Sequence, residues 1–450
     1  RGHWTTIAGH LFPDAVVTDR SARTGGPVDG VLYLAHPRAA RDATLPGLLI
    51  RARSGAGPLE SDIPYADGLR LASPARGLAE NCRPSRARRG ARRTFDADEL
   101  GDWVDELCRQ YDTERLMQFR REAEGLAAQV GVDPANLTVM QEAVGIAVGT
   151  RDVALTDSVV LRQRGKGLAV DQNRVRRFEM LVDAIRASAP QSRPESSTPG
   201  EPGRTRYLPF FEAYFSNFIE GTEFEVDEAA DIVFNGVVPT DRPQDAHDVL
   251  GTYRLVADPE EMGRRGDDPA EFVELLKRRH ARIMEGRPDK RPGEFKERNN
   301  KAGNTHFVPH DLVEGTLRAG IELRDRLDTA WERAIYVAFV VAEVHPFVDG
   351  NGRAARVAMN VELSAEGQSR IIVPVVFRQD YLDGLRRVSR NDDPSVYIKA
   401  MRYAHDFTHS VDFDDYEESK RLLEEAHAFD EPDSDQRLKI LERRRPWENQ

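Results

Sequence analysis

Apolar positions recur every three to four residues from Trp331 to Val344 (Ala334, Val337, Ala338, Val341) and again from Ala354 to Glu366 (Val357, Val361, Leu363), a spacing that predicts two helices. The residues between them, His345-Pro-Phe-Val-Asp-Gly-Asn-Gly-Arg353, break the pattern and predict a connecting loop. Between Pro209 and Gly221 two apolar ridges run side by side, Phe210, Tyr214, Phe218 and Phe211, Phe215, Ile219. So broad an apolar face predicts a nearly buried helix, with Gly221 just past its end. Short alternating stretches, Glu294 to Arg298 and Thr305 to Val308, flank the turn-rich run Asn299 to Asn304 and predict a β-hairpin.

Towards the N-terminus the pattern changes. Short apolar runs (Ala15 to Val17, Val31 to Leu34, Gly47 to Ile50) alternate with Gly- and Pro-containing turns, which predicts short strands with helices between them. From Phe95 to about Ser188 the chain reads as helical, with Asp98 or Glu99 opening one helix and Val175 to Ala187 forming another. Ala189 to Gly203 is rich in Pro, Ser and Gly and predicts a flexible boundary. No internal repeat is visible. The expectation is a multidomain chain: an α+β N-terminal domain over residues 1–188, a linker over 189–204, a mainly α-helical core with a small β-hairpin flap over 205–408, and a charged tail of exposed helices over 409–450.

Composition narrows the classes. The chain has 450 residues, too many for one core, and 40% hydrophobic residues, enough for folded units. No apolar run reaches membrane-spanning length, and the start at Arg1 lacks a secretory-signal pattern, so no membrane partner is expected. The two cysteines, Cys82 and Cys108, stand at no metal-like spacing, which fits a reducing cytoplasm. The net charge of −12 argues against bulk nucleic-acid affinity, although residues 1–100 hold 15 Arg against 11 Asp or Glu. Six of those arginines lie between Arg83 and Arg93; the run reads as a solvated loop, with DNA backbone binding as the competing reading.

The loop carries the candidate chemistry. Gly350 and Gly352 let backbone N–H groups approach an anion at the start of a helix, whose positive end favours phosphate. Arg353 and Arg356, three apart, share a face and can reach one polyphosphate. Asp349 is a hard oxygen ligand suited to Mg²⁺ held with substrate phosphates. His345 is the one group in the run that exchanges a proton near neutral pH. Phe347 is expected to point inward and anchor the loop. In the aromatic helix, Ser216 and Glu220 share a face, and a buried carboxylate in a last turn needs a cation. His306, His310, His405 and His409 read as surface or packing residues.

Residues 345–356 resemble the Fic (Fido) family, whose signature His-Pro-Phe-x-(Asp/Glu)-Gly-Asn-Gly-Arg-x-x-Arg they match throughout. The resemblance implies an all-helical core that binds ATP and Mg²⁺ and transfers AMP to a Ser, Thr or Tyr hydroxyl of a target protein. It implies that His345 is the base, that Asp349 holds the metal, and that Phe347, Gly350, Asn351, Gly352, Arg353, Arg356 and Asn360 form the nucleotide site. Ser216-x-x-x-Glu220-Gly221 is similar to the family's inhibitory motif, which implies that Glu220 pairs with Arg356 in the place of the γ-phosphate. The hairpin, with Glu294, Phe295, Thr305, His306 and Phe307, resembles the flap that docks the target. Removal of AMP from a modified target, with Glu220 positioning a water, is the reverse reaction the same residues leave open.

The N-terminal half also resembles the effector-side region of AbiEi-type antitoxins, through Thr18-Asp-Arg-Ser-Ala22, Gly30-Val-Leu-Tyr-Leu34 and Gly68 to Arg76. That resemblance implies a transcriptional regulator with DNA as a partner and the core as a nucleotide sensor. Auto-modification and a homodimer are the further partner expectations.

Overall fold

The computed structural model describes residues 4–38, 41–87, 92–195 and 205–442. Backbone contacts divide the chain into two compact units, Arg1–Leu168 and Ala169–Gln450.

The first unit opens on a mixed sheet with α1 (Trp4–Leu11), β1 (Val16–Val17), α2 (Arg20–Thr24), β2 (Val31–His36), β3 (Asp42–Leu45), β4 (Leu48–Ser54), β5 (Ile63–Pro64) and β6 (Arg70–Leu71). The strand order is β3-β4-β2-β1-β6-β5; β2 pairs parallel with β4, while β1 and β2 run antiparallel. Val16, Val17, Leu32, Leu34 and Ile50 are all buried here, so the expected strands form a core. Five helices follow: α3 (Pro74–Asn81), α4 (Ala97–Gln110), α5 (Thr113–Leu126), α6 (Thr138–Ala147) and α7 (Val159–Gly165). α4 is opened by Asp96, two or three residues earlier than expected, through a capping box with Glu99.

The residues behind the antitoxin resemblance sit in a buried ion network. Asp19 accepts from Arg53 at 3.2 Å and from Arg93 at 2.6 Å, and Arg76 bonds Asp62 at 2.5 Å. Of the arginine run, Arg83 donates to the carbonyl of Val130 at 2.6 Å and Arg93 is committed to Asp19, which corrects the picture of a fully solvated cluster. Arg88 and Arg89 lie outside the described residues.

The second unit holds α8 (Gln172–Arg186), α9 (Leu208–Ile219), α10 (Val226–Ala230), α11 (Pro243–Val256), α12 (Pro259–Gly263), α13 (Pro269–Ile283), the hairpin β7 (Lys301–Ala302) and β8 (Thr305–His306), then α14 (Val313–Arg324), α15 (Ala330–Val344), α16 (Asn351–Ser364), α17 (Arg378–Asn391), α18 (Ser395–Ser410) and α19 (Tyr416–Glu425). The unit begins about twenty residues before the expected boundary at 188, because α8 buries Val175, Phe178, Leu181 and Ile185. Phe178 meets Phe339 of α15 edge to face at 6.2 Å.

Two expectations are corrected nearby. Residues 189–195 are docked: Gln191 bonds Asp406 of α18 at 2.8 Å and Pro194 bridges to Gln368, whereas 196–204 lie outside the described residues. The described part of the tail, 409–442, is packed against the core, with Tyr416 stacked on Phe211 of α9 at 5.9 Å and Leu423 fully buried. His405 and His409 both bond Ser369, in keeping with packing roles. No helix among the described residues is long and apolar enough to cross a membrane.

Candidate functional site

α15 is buried along nearly its whole length and ends on His345, whose φ of 52° is left-handed and turns the chain out of the helix. The loop then closes on itself. Asn351 accepts from the Phe347 N–H at 2.8 Å and donates to the Phe347 carbonyl at 3.0 Å. Gly350 takes φ 73°, and a Cβ there would stand 2.6 Å from Met284 Sδ and 3.2 Å from His280 Nε2. His280, on α13, fixes the loop from below: its Nε2 bonds the Asp349 carbonyl at 2.9 Å, its Nδ1 accepts from Gly293 at 2.9 Å, and its ring stacks on Phe347 at 3.6 Å. These bonds make Nε2 the protonated nitrogen, and burial pushes the imidazole down to about 4.

His345 sits half-buried with Nδ1 3.3 Å from the Ala342 carbonyl. A carbonyl accepts only from N–H, so the proton is on Nδ1 and Nε2 keeps a lone pair. Phe307 stacks flat on the ring at 3.7 Å and 5°, and desolvation lowers the imidazole to about 4, so it is neutral at pH 7. Lys296 supports the same turn, donating to the His345 carbonyl at 2.8 Å and to Asn300 Oδ1 at 2.6 Å, and burial lowers its ammonium to about 8.

α9 lies along α16 with its polar residues in antiparallel register. Glu212 accepts from Asn360 at 2.9 Å, Ser216 Oγ from Arg356 Nε at 2.9 Å, and Glu220 Oε1 from Arg356 Nη2 at 2.7 Å. The spacing of four residues on each helix brings these groups to one seam. Asn217, beside them, accepts from Arg353 Nη1 at 3.2 Å. A Cβ on Gly352 would collide with Glu220 Oε1, so the carboxylate rests directly on the glycine at the start of α16, where the helix dipole is positive. A buried guanidinium and an anion therefore already fill the cradle that the sequence assigned to phosphate.

The site residues expected from sequence divide in three. His345, Asp349, Gly350, Gly352, Arg353 and Arg356 lie about the start of α16, Ser216 and Glu220 reach the same place from α9, and Gly221 follows the end of that helix, exposed and at φ 89°. Phe347, Asn351 and Asn360 are buried supports instead of ligand-facing groups. Asn360 is fully enclosed and spends its amide on Glu212 and on both backbone groups of Ile371. The hairpin exists but is displaced: β7 is Lys301–Ala302, whereas Glu294 pairs with Arg291, and Phe295 packs 5.7 Å from Phe347. Thr305 accepts from Arg390 at 2.8 Å, and the His306 carbonyl accepts from Arg174 at 2.5 Å. Sequence reading passed over His280, Lys296 and Asp248, which lie on other elements and join the site only through the fold, and Asn217, which sits inside the Ser216–Glu220 motif on α9.

Asp349 is half-exposed, with Oδ1 accepting from the Gly350 N–H at 2.7 Å. No group of three His, Cys, Asp or Glu side chains that could hold a metal occurs among the described residues. One open carboxylate beside an anion cradle still suits Mg²⁺, which takes one or two carboxylates and completes its shell with phosphate oxygens and water.

Residues 272–363 match the model of the Fic/DOC family. The chain is similar to the protein adenylyltransferase fic-1 of Caenorhabditis elegans, 34% identical over 89 residues, which is 17% of this chain and 18% of that protein. It is also similar to the protein adenylyltransferase Fic of Drosophila persimilis, 36% identical over 59 residues, 13% of this chain and 12% of the relative. The chain thus spans less than a fifth of the length of these curated relatives. Among solved structures, Fic-1 (residues 134–508) of C. elegans aligns with a TM-score of 0.39 and 19% identity over 68% of this chain and 89% of that one. The loop, α15, nearly all of α16 and the His280 support fall within the matched segment, and residues 272–363 are a Fic/DOC-family domain.

Proposed function

We propose that this domain is a protein adenylyltransferase that moves AMP from ATP to a Ser, Thr or Tyr hydroxyl of a target protein and is held inactive by Glu220. The observation that carries the reading is the Glu220 carboxylate on Gly352, paired with Arg356 at 2.7 Å. A carboxylate that fits this cradle marks it as an anion site, and a triphosphate would compete for the same donors. The name carried by the similar curated relatives supports the same donor and acceptor.

In the transfer, His345 Nε2 accepts the proton of the target hydroxyl as its oxygen attacks the α-phosphorus. The bond from that phosphorus to the bridging oxygen breaks, and pyrophosphate leaves. Arg353 and Arg356 stabilise the charge spreading over the outer phosphates, and the first N–H groups of α16 hold the oxygens of the anion. Asp349 is the residue that would hold Mg²⁺, which supplies charge neutralisation to the leaving phosphates when bound. The Ala342 carbonyl holds the His345 ring at Nδ1, which leaves Nε2 as the accepting nitrogen.

The test is intact-mass measurement of the full chain carrying Glu220→Gly after incubation with ATP and Mg²⁺, alone and with candidate protein substrates. A gain of one AMP unit on a protein hydroxyl is expected. A gain of one phosphate, or no gain on any protein, would remove the proposal.

A further inference from the structure

Arg353 raises a question that the inhibitory pair leaves unanswered: what compensates the charge of a second buried guanidinium once Glu220 has moved away? Its side chain is 3% exposed. Nη1 pairs with Asp248 Oδ2 of α11 at 2.7 Å and donates to Asn217 Oδ1 at 3.2 Å. Asp248 is itself 1% exposed, and its Oδ2 also receives Arg287 Nε at 2.7 Å; Arg287 in turn reaches Asp245 at 2.6 Å. Arg242 also reaches Asp245, at 3.0 Å, so three arginines and two aspartates form one connected ion network. The remaining donors of Arg353 stand apart from it. Nε is buried with no hydrogen-bond partner among the described residues, and Nη2 lies 4.0 Å from Asp349 Oδ1, on the side of the loop.

We propose that Asp248 is a positioning residue for nucleotide binding: by tethering Nη1 it fixes the guanidinium plane so that the other donors of Arg353 face the outer phosphates. This rests on the reading of the loop as a nucleotide site. A buried arginine without such a tether would either swing to another acceptor or remain uncompensated, and guanidinium recognition of phosphate depends on the orientation of its planar fork. Arg287 holds Asp248 in place, since the two share a bond that does not involve the nucleotide. Asn217, on α9, holds the same nitrogen from the inhibitory side.

The experiment measures ATP, ADP and AMP dissociation constants, with Mg²⁺, on the full chain carrying Glu220→Gly, alone and combined with Asp248→Asn, Arg353→Ala, or both. Asp248→Asn should weaken ATP and ADP on the order of tenfold, the scale of a lost charge-assisted contact, and leave AMP within about twofold. It should add almost nothing in the Arg353→Ala background. Ratios between nucleotides are insensitive to a partly unfolded fraction, so reduced stability does not mimic the result. Equal weakening of all three nucleotides, or additive losses in the double variant, would overturn the positioning role. If Arg353→Ala weakens ATP but Asp248→Asn does not, this inference fails and the nucleotide site stands. If Arg353→Ala leaves ATP unchanged, the site reading fails and this inference with it.

Discussion

Glu220 offers a graded test of the inhibitory contact. Its carboxylate is 30% exposed and Arg356 5%, so the pair is neither fully screened nor fully buried. Such a contact contributes about 1–3 kcal/mol, between exposed and buried ion pairs. Glu220→Gln keeps the shape and a neutral acceptor, so only the difference between charge-assisted and neutral hydrogen bonds, about 1 kcal/mol, is lost. Glu220→Gly removes the contact and also clears the space over Gly352. Because 1.4 kcal/mol corresponds to tenfold, the Gln variant should transfer AMP about fivefold faster than the parent, and the Gly variant roughly 5- to 150-fold faster. Arg356 remains tied to Ser216 Oγ and to the Ser216 carbonyl, so the helix seam survives either change. The assay is the initial rate of label incorporation from α-labelled ATP at equal enzyme. Parent-like rates for both variants, or a Gln variant faster than the Gly variant, would refute the lock.

Four further outcomes follow from the same structure. His280 and His405 are fully buried and held at about 4 against an ordinary value near 6.5. Their folded pKa values are depressed, so the unfolded chain binds more protons between pH 6.5 and 4. Stability is complete above about pH 6.5 and falls by about 3 kcal/mol per imidazole as pH drops through 4; a thermal midpoint that stays flat from pH 7.5 to 4.5 would contradict this. Phe307→Ala uncovers the His345 ring and should move its pKa up towards 6.5, seen as a shift of the imidazole resonances in an NMR titration, whereas an unmoved titration would show that the stack does not desolvate it. Gly350→Ala forces a Cβ to within 2.6 Å of Met284 Sδ at positive φ and should lower stability by about 1–3 kcal/mol in chemical denaturation. His345→Ala should abolish transfer while ATP affinity changes less than about threefold, because the imidazole supplies chemistry more than affinity; parallel loss of both would displace it as the base.

Much of the site was legible because it is local. The helical period of 331–344 and 354–366 marks two buried helices, and the strict order of residues between them fixes a loop whose role depends on neighbours in sequence. Glu220 and Ser216 were readable for the same reason, being four apart on one helix. The rest depends on contacts distant in sequence. Asp248 lies more than a hundred residues before Arg353, and nothing in the pattern of α11 distinguishes it from a solvated aspartate until Arg287 and Arg353 converge on it. Lys296 explains why the hairpin moved: its N–H bonds the Pro346 carbonyl and its ammonium turns inward, so 294–298 follows the loop and leaves β8 to pair with 301–302. Residues 189–195 have the composition of a linker, yet Gln191 and Arg193 find Asp406 of α18. Composition reports the apolar area a segment can bury, and it does not report side-chain hydrogen bonds.

The central claim is that His345 Nε2 takes a proton from a protein hydroxyl while the start of α16 holds ATP. The most direct measurement is label transfer by full chains carrying Glu220→Gly or Glu220→Gly with His345→Ala, each mixed with Mg²⁺, a cell lysate and ATP labelled at either the α- or the γ-phosphate. Protein labelling from the α position alone, lost in the His345→Ala form, is the predicted result. Labelling from the γ position, or α-labelling that persists without the imidazole, would contradict it.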